Sequence, residues 1–292
     1  MASGGLSFLR NLGVTLEMIK WEHSIFALPF ALTGAVLAAN GWPHTWQLFW
    51  IIVCMVTARS AAMAFNRWAD ADLDAANPRT ANRAIPAGQL SRGFVGGFTL
   101  AMAALFIVAA SRLNRLTLLL SPVALAVVLG YSYTKRFTRW SHLVLGLALG
   151  IAPAAAWVAV RGMLDPRILV LTAAVIFWVA GFDVLYACQD AAHDRAAGLR
   201  SVPAALGVHR AFSVARLMHG TMLLLLAWLL HLFHLGQVAW WGLVLVTGLL
   251  LYEHSIVSPK DMRRMNAAFF TLNGIISVLF FCAVTWAVMV HR

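Results

Sequence analysis

Apolar positions fill this chain in long runs, separated by short polar breaks. Nine such runs stand out, over residues 23–40, 47–65, 94–112, 116–134, 141–160, 167–188, 211–231, 237–256 and 267–290. Each approaches the roughly 20 residues that a helix needs to cross about 30 Å of hydrocarbon. None alternates with a period of two, so helices are expected and a membrane β-barrel is not. The pattern therefore predicts an all-α, polytopic membrane protein with nine transmembrane helices, in one domain over 1–292.

The breaks differ in character. Asn40-Gly41-Trp42-Pro43 and Gly162-Met163-Leu164-Asp165-Pro166 read as tight turns at one end of the bundle. At the other end, 66–93 and 189–210 are long, polar and rich in arginine. Segments beyond about 12–15 residues in a compact domain usually carry function, which makes these two the candidate active-site loops. They also end alike, in Arg83-Ala84-Ile85-Pro86-Ala87 and Arg200-Ser201-Val202-Pro203-Ala204. Asp70 to Asp190 spans 120 positions, as does Asp74 to Asp194. This register suggests two pseudo-repeated four-helix halves plus a ninth helix, with the acidic clusters facing one another across a central axis.

Composition agrees with a membrane setting: 61% of residues are hydrophobic and 11% charged, against about 25% charged in soluble domains. The net charge of +11 would suit a nucleic-acid partner, but its placement argues for a membrane protein with no such partner. Under this topology 16 of the 22 Lys and Arg residues fall on the side of the long loops. That asymmetry puts the loops and the N-terminus in the cytoplasm, most simply beneath a bacterial inner membrane, and nine spans put the C-terminus outside. Residues 1–22 lack a cleavable signal pattern and are expected to stay as a cytoplasmic segment, with an amphipathic surface helix over 6–20. Cys54, Cys188 and Cys282 lie in or beside apolar runs without paired spacing, as small buried residues do.

The chemistry is concentrated in the acids. The chain has only 11, and six of them are Asp70, Asp72 and Asp74 in one cluster and Asp183, Asp190 and Asp194 in another. On a helix, residues four apart share a face, so Asp70 and Asp74 project together, as do Asp190 and Asp194, and each pair repels itself. A hard divalent cation relieves that repulsion, and Mg²⁺ favours a few carboxylates plus water and phosphate over a closed protein cage. Asn66 extends the first face with a neutral ligand; Asp72 points off it and reads as a loop charge. The competing reading is that the acids merely pair with Arg67, Arg79, Arg195 and Arg200 at the surface. Arg59 and Asp183 each lie seven residues before their cluster, two turns into the membrane, where charges face a bundle interior or a wet cavity. They pair with one another or with backbone, or else Arg59 takes an anionic substrate group and Asp183 a metal-site or proton-handling role. Around Tyr131, the cations Lys135 and Arg136 either reach phosphate or set topology. Phe65, Trp68, Tyr131, Tyr133, Phe182 and Tyr186 lie near enough to shield a carbocation, or serve as packing and belt residues.

Asn66-x-x-x-Asp70-x-x-x-Asp74 and Asp190-x-x-x-Asp194, flanked by Asn77-Pro78-Arg79-Thr80-Ala81-Asn82-Arg83 and Tyr186-Ala187-Cys188-Gln189-Asp190, resemble the UbiA superfamily of intramembrane prenyltransferases. The resemblance covers nearly the whole chain and lies nearest the branch that prenylates 4-hydroxybenzoate; Ala84 departs from it, where many relatives have proline. It implies nine helices around a central cavity open sideways to lipid. It implies Mg²⁺ held through a diphosphate by Asn66, Asp70, Asp74, Asp190 and Asp194, with Asp183 in the catalytic set. Asn66, Arg59, Arg67, Arg79, Lys135, Arg136 and Tyr131 would then contact substrate. The implied reaction joins an allylic polyprenyl diphosphate to a small aromatic carboxylate in quinone biosynthesis. The acceptor would be 4-hydroxybenzoate or, as the alternative, 1,4-dihydroxynaphthoate, and the ring proton would pass to diphosphate or to Asp183. A secondary transporter also shows duplicated halves and intramembrane charges, but breaks its helices at mid-membrane.

Overall fold

The computed structural model describes residues 11, 13–19, 27–265 and 267–290. Among them there are only helices, turns and one isolated bridge between Ser258 and Asp261. The long helices are α1 (Leu28–Ala39), α2 (Thr45–Ala69), α4 (Arg92–Ser111), α5 (Arg115–Gly130), α6 (Ser141–Arg161), α7 (Ile168–Ala187), α10 (Val208–Leu232), α11 (Gln237–Ile256) and α12 (Asn273–Val290). Three short ones lie between them: α3 (Ala71–Ala76), α8 (Ala191–Ala196) and α9 (Val202–Leu206). Eight of the nine expected spans are long and apolar enough to cross a membrane. The first, α1, has 12 described residues, and 23–26 of its expected run lie outside the described part. This is an integral membrane protein.

Sequence neighbours pack against one another from α2 and α4 onward to α11 and α12, and α12 returns to α1, so the bundle closes. Helix α7 runs through its middle, packed on α6 and α10. Lipid tails are as apolar as leucine, so burying apolar surface gives little drive for helices to associate in a bilayer; close van der Waals approach must supply it. The contacts show how. A Cβ added at Gly34 of α1 would come within 2.3 Å of the Pro153 carbonyl oxygen on α6, and one at Gly146 of α6 within 2.4 Å of the Ile176 carbonyl oxygen on α7. Only glycine lets these backbones meet. Above them, Trp178 is fully buried between Phe30 and Phe182, ring centroids 4.9 and 5.1 Å away, and its indole N–H donates to Asn273 Oδ1 at 2.8 Å.

At the end with the tight turns, side chains cap what the backbone leaves open. Asn114 accepts from the Thr117 N–H and donates to the Val158 and Ala159 carbonyls, tying the start of α5 to the end of α6. The opposite end departs from the sequence expectation. Segment 189–210 is largely helical, through a 3-10 turn, α8, α9 and the start of α10, whereas 66–93 is so only in part: α2 runs on to Ala69, α3 follows, and 77–90 forms turns and bends. A hydropathy window ends a span where polar residues begin, whereas the helical hydrogen bonds continue past that point. Likewise, within 6–20 the residues 13–19 are helical, but Met18 and Ile19 bury themselves beside Ala64, Ala84, Leu90 and Val95. That face is docked on the protein and not on lipid; the rest of the segment lies outside the described residues.

Two substitutions separate close approach from helix propensity. Gly34→Ala should lower the melting temperature in detergent and cost about 1–3 kcal/mol, because backbone must move. Gly97→Ala, where nothing lies within 4 Å of the new methyl, should be neutral or stabilise by up to about 1 kcal/mol.

Candidate active site

Both acid pairs are built in the same way. Helix α2 ends at Ala69; Asp70 follows with φ −97° and ψ 5°, and α3 begins at once. Helix α7 passes through a 3-10 turn, Cys188–Asp190, and Asp190 with φ −101° and ψ 3° precedes α8. In each case the first aspartate sits at the break and the second lies within the six-residue helix beyond it. The repeated backbone geometry matches the repeated spacing in the sequence.

The four aspartates line one cavity of about 690 Å³, together with Asn66, Arg67, Arg79, Lys135, Tyr131 and Asp183. Each of these five aspartates has a partner, and several partners come from another segment. Arg79 forms a two-pronged ion pair with Asp190, which also accepts from the Asn77 amide at 3.2 Å. This pairing holds the Arg79 guanidinium above the ordinary arginine range. The same guanidinium lies over the Tyr186 ring at 5.6 Å. Arg83 Nη1 donates to Asp74 at 2.6 Å. Lys135 Nζ lies 2.8 Å from Asp70, and Asn66 donates to the same carboxylate at 3.3 Å. Ser201 donates to Asp194 at 3.0 Å. His142 Nδ1 lies 2.6 Å from Asp183.

The two sequence readings of the acids are thus both present: they pair with arginine, as with Asp190 and Arg79, and they also converge on one hollow. Arg195 and Arg200, however, bond the Ala204 and Phe137 carbonyls. Asp72 is exposed and pairs with Arg92, as a loop charge does. Arg136 lies outside this lining: it donates to the Ala69 carbonyl at 2.6 Å, 3.5 Å from Asp70, with the Tyr133 ring at 4.8 Å, and so closes off the end of α2. Arg59 is also outside it. It lines a second cavity of about 310 Å³, otherwise apolar, with Cys54, Met55, Phe106, Ala152 and Phe182 among its walls, and its Nη1 is 3.4 Å from the Ile19 carbonyl. Asp183 therefore pairs with His142 and not with Arg59. Met63, Tyr131 and Leu145 line both cavities and form a seam between polar and apolar compartments. Of the other aromatics, Phe65 stacks on Trp68 and meets Tyr133 edge-on, a cluster outside both linings.

Asn77, Arg83, His142 and Ser201 were not singled out as site residues by the sequence. Asn77 and Arg83 stand within the quoted flanking segment; His142 carried only the weak signal of a polar residue opening an apolar run.

No three His, Cys, Asp or Glu side chains among the described residues converge as a closed metal cage. The donors nevertheless suit a divalent cation that shares its shell with phosphate and water. Asp70 Oδ1 and Asp74 Oδ2 are buried and accept no hydrogen bond. Counting carboxylates as ionised and histidine as neutral, the lining sets Glu17 and five aspartates against Arg67, Arg79, Arg83 and Lys135, a formal excess of two negative charges. One divalent cation balances it.

A sequence profile described as the UbiA prenyltransferase family matches residues 27–275. A 4-hydroxybenzoate octaprenyltransferase of Cupriavidus necator is 31% identical, over 89% of this chain and 92% of its own length. Among solved structures, a UbiA homolog from Aeropyrum pernix K1 is 32% identical with a TM-score of 0.83, covering 90% of this chain and 97% of that one. A UbiA homolog from Archaeoglobus fulgidus, bound to DMAPP and Mg²⁺, shares the fold at 18% identity and a TM-score of 0.72, over 94% of this chain and 99% of its own.

Removing Arg83 strands a buried carboxylate. Arg83→Ala should cost about 2–3 kcal/mol in detergent unfolding, and adding Asp74→Asn should restore most of the loss.

Proposed function

The chain belongs to the UbiA prenyltransferase family, and we propose that it transfers a polyprenyl group from an allylic polyprenyl diphosphate to 4-hydroxybenzoate at the inner face of a bacterial cytoplasmic membrane. The observation that carries this reading is one polar cavity, holding both acid pairs, that meets an apolar cavity along a shared seam. A prenyl diphosphate has the same division. Its charged head suits Arg67, Arg79, Arg83 and Lys135, and its tail suits the apolar compartment, where each buried CH₂ is favoured by about 0.8 kcal/mol. The naming of the similar relatives for 4-hydroxybenzoate supports that acceptor over a dihydroxynaphthoate.

Asp70, Asp74, Asp190 and Asp194, with Asn66, would hold Mg²⁺ through the diphosphate, and the ion, when bound, supplies neutralisation of the leaving group's charge. The aspartates keep the diphosphate at the polar end, so the reacting carbon falls at the seam. Tyr131 at the seam and Phe182 in the apolar wall beside it are the aromatic rings that would shield developing positive charge. The allylic C–O bond breaks, a C–C bond forms to the ring carbon beside the acceptor hydroxyl, and that carbon loses its proton. Arg59, across the seam, pairs with the acceptor carboxylate and turns the hydroxyl-bearing edge toward the allylic carbon. The low water content of the apolar side keeps the cation from capture by water.

The test is purified protein in lipid nanodiscs with Mg²⁺, labelled geranyl diphosphate and each acceptor in turn. Prenylated hydroxybenzoate is expected; prenylated naphthoate alone would move the protein to the other acceptor, and no transfer to either would reject the reading. Chelation with EDTA should abolish turnover, and added Mg²⁺ restore it. Alanine at Asp70, Asp74, Asp190 or Asp194 should lower kcat by about 10²–10³-fold with insertion intact. Arg59→Ala should raise the acceptor KM by about tenfold and leave that of the diphosphate unchanged.

A further inference from the structure

His142 sits in the first turn of α6, 3% exposed, against the polar cavity. Its two nitrogens have different neighbours. Nε2 faces the Val202 backbone N–H at 3.3 Å, and Nδ1 faces Asp183 Oδ2 at 2.6 Å. A backbone N–H can only donate, so Nε2 is the acceptor and carries no proton. The ring proton is therefore on Nδ1, where it is donated to the carboxylate. This fixes both the tautomer of His142 and the plane of Asp183. The Asp183 side chain, unlike that of His142, stays 23% exposed and lines the cavity. Its neighbour in sequence, Phe182, lines the apolar compartment, so this carboxylate stands where the two compartments adjoin.

Resting on the prenyl-transfer reading above, with Asp183 taken as the acceptor of the ring proton, we propose that His142 is the positioning residue that aims this carboxylate. In the step, the allylic carbon has already bonded to the ring carbon. The C–H bond at that carbon breaks, its electron pair restores aromaticity, and the proton passes to the Asp183 carboxylate to give the neutral acid. His142 donates one hydrogen bond throughout and gains no proton.

The second contact of His142 ties it to the segment that holds Asp194. Val202 is the first residue of α9, and Ser201 before it donates its hydroxyl to Asp194 while accepting from the Ala204 N–H. The short segment Ser201-Val202 is thus held on one side by an aspartate of the diphosphate-binding set and on the other by the imidazole that orients Asp183.

The two nitrogens can be tested apart. Asparagine can keep the donor to Asp183 but not the acceptor to Val202; glutamine reaches the Nε2 position and keeps the opposite contact. With full-length protein in nanodiscs, Mg²⁺, geranyl diphosphate and whichever acceptor the wild type turns over, His142→Gln and His142→Ala should lower kcat by about 10²-fold with both KM values nearly unchanged. His142→Asn should keep most of the wild-type kcat. Asp183→Asn, which preserves shape but takes up no proton, should fall as far as His142→Gln. Acceptor deuterated at the ring carbons beside the hydroxyl supplies a readout that folding does not move. Its kinetic isotope effect should be near unity in the wild type and rise clearly above unity in His142→Gln and Asp183→Asn. Wild-type-like kcat in Asp183→Asn would overturn the proposal. So would equal losses in all three His142 variants with no isotope effect, which would make the imidazole purely structural. Absence of turnover by the wild type on either acceptor rejects the reaction itself and is recognised before any variant is made.

Discussion

Carboxylates at the edge of a bilayer have to be neutralised, and that requirement organises this molecule. An unpaired charge in such a place costs several kcal/mol. Two of the paired aspartates, Asp190 and Asp70, meet cations from distant segments, while Arg83 reaches Asp74 from nine residues on and the Ser201 hydroxyl holds Asp194. Arg79 and Arg83 follow α3, Lys135 follows α5, and Arg79 crosses to Asp190 beyond α7. Each ion pair therefore also fastens a polar segment over the mouth of the bundle. Even so, the lining holds more negative than positive charge, a balance that a divalent cation would close.

The protein divides its interior between two solvents. Charged and hydrogen-bonding groups crowd one compartment, while methyl and ring carbons line the other with Arg59 as its charged exception. The division follows from helix ends. Long helices supply apolar side chains through the membrane, and the Asp, Asn, Lys and His residues of the polar cavity enter near where α2, α5 and α7 terminate and α6 begins, and from the segments beyond. An amphiphile is thereby oriented by the same partition that orients the protein in its bilayer.

Spans, acids and the doubled register were legible in the sequence because each is a local pattern: a hydrophobic run, a four-residue spacing, a repeated interval. What was not legible depends on contacts across the chain. Asn77 reaches Asp190 across 113 positions, and His142 reaches Asp183 across 41; no spacing rule finds such partners. Arg59 was read as continuing the first acidic face, but its side chain lines the compartment below. Arg136 and Lys135 are adjacent and look alike in sequence, yet one seals a helix end and the other faces Asp70. Helix α2 outruns its hydrophobic stretch, and 189–210 is largely helical, because local hydrogen bonding persists beyond the hydrophobic run that marks a span.

One count decides whether any of this could work. Between Asp70 and Asp190 stand four helices long and apolar enough to cross a bilayer, α4, α5, α6 and α7. Four is even, so a chain that leaves the first acid pair on a given face must deliver the second to the same face. With one traverse more or fewer, the pairs would open to opposite aqueous spaces, each with a different ion supply and membrane potential between them. Parity, and not any residue, makes a common reaction chamber possible.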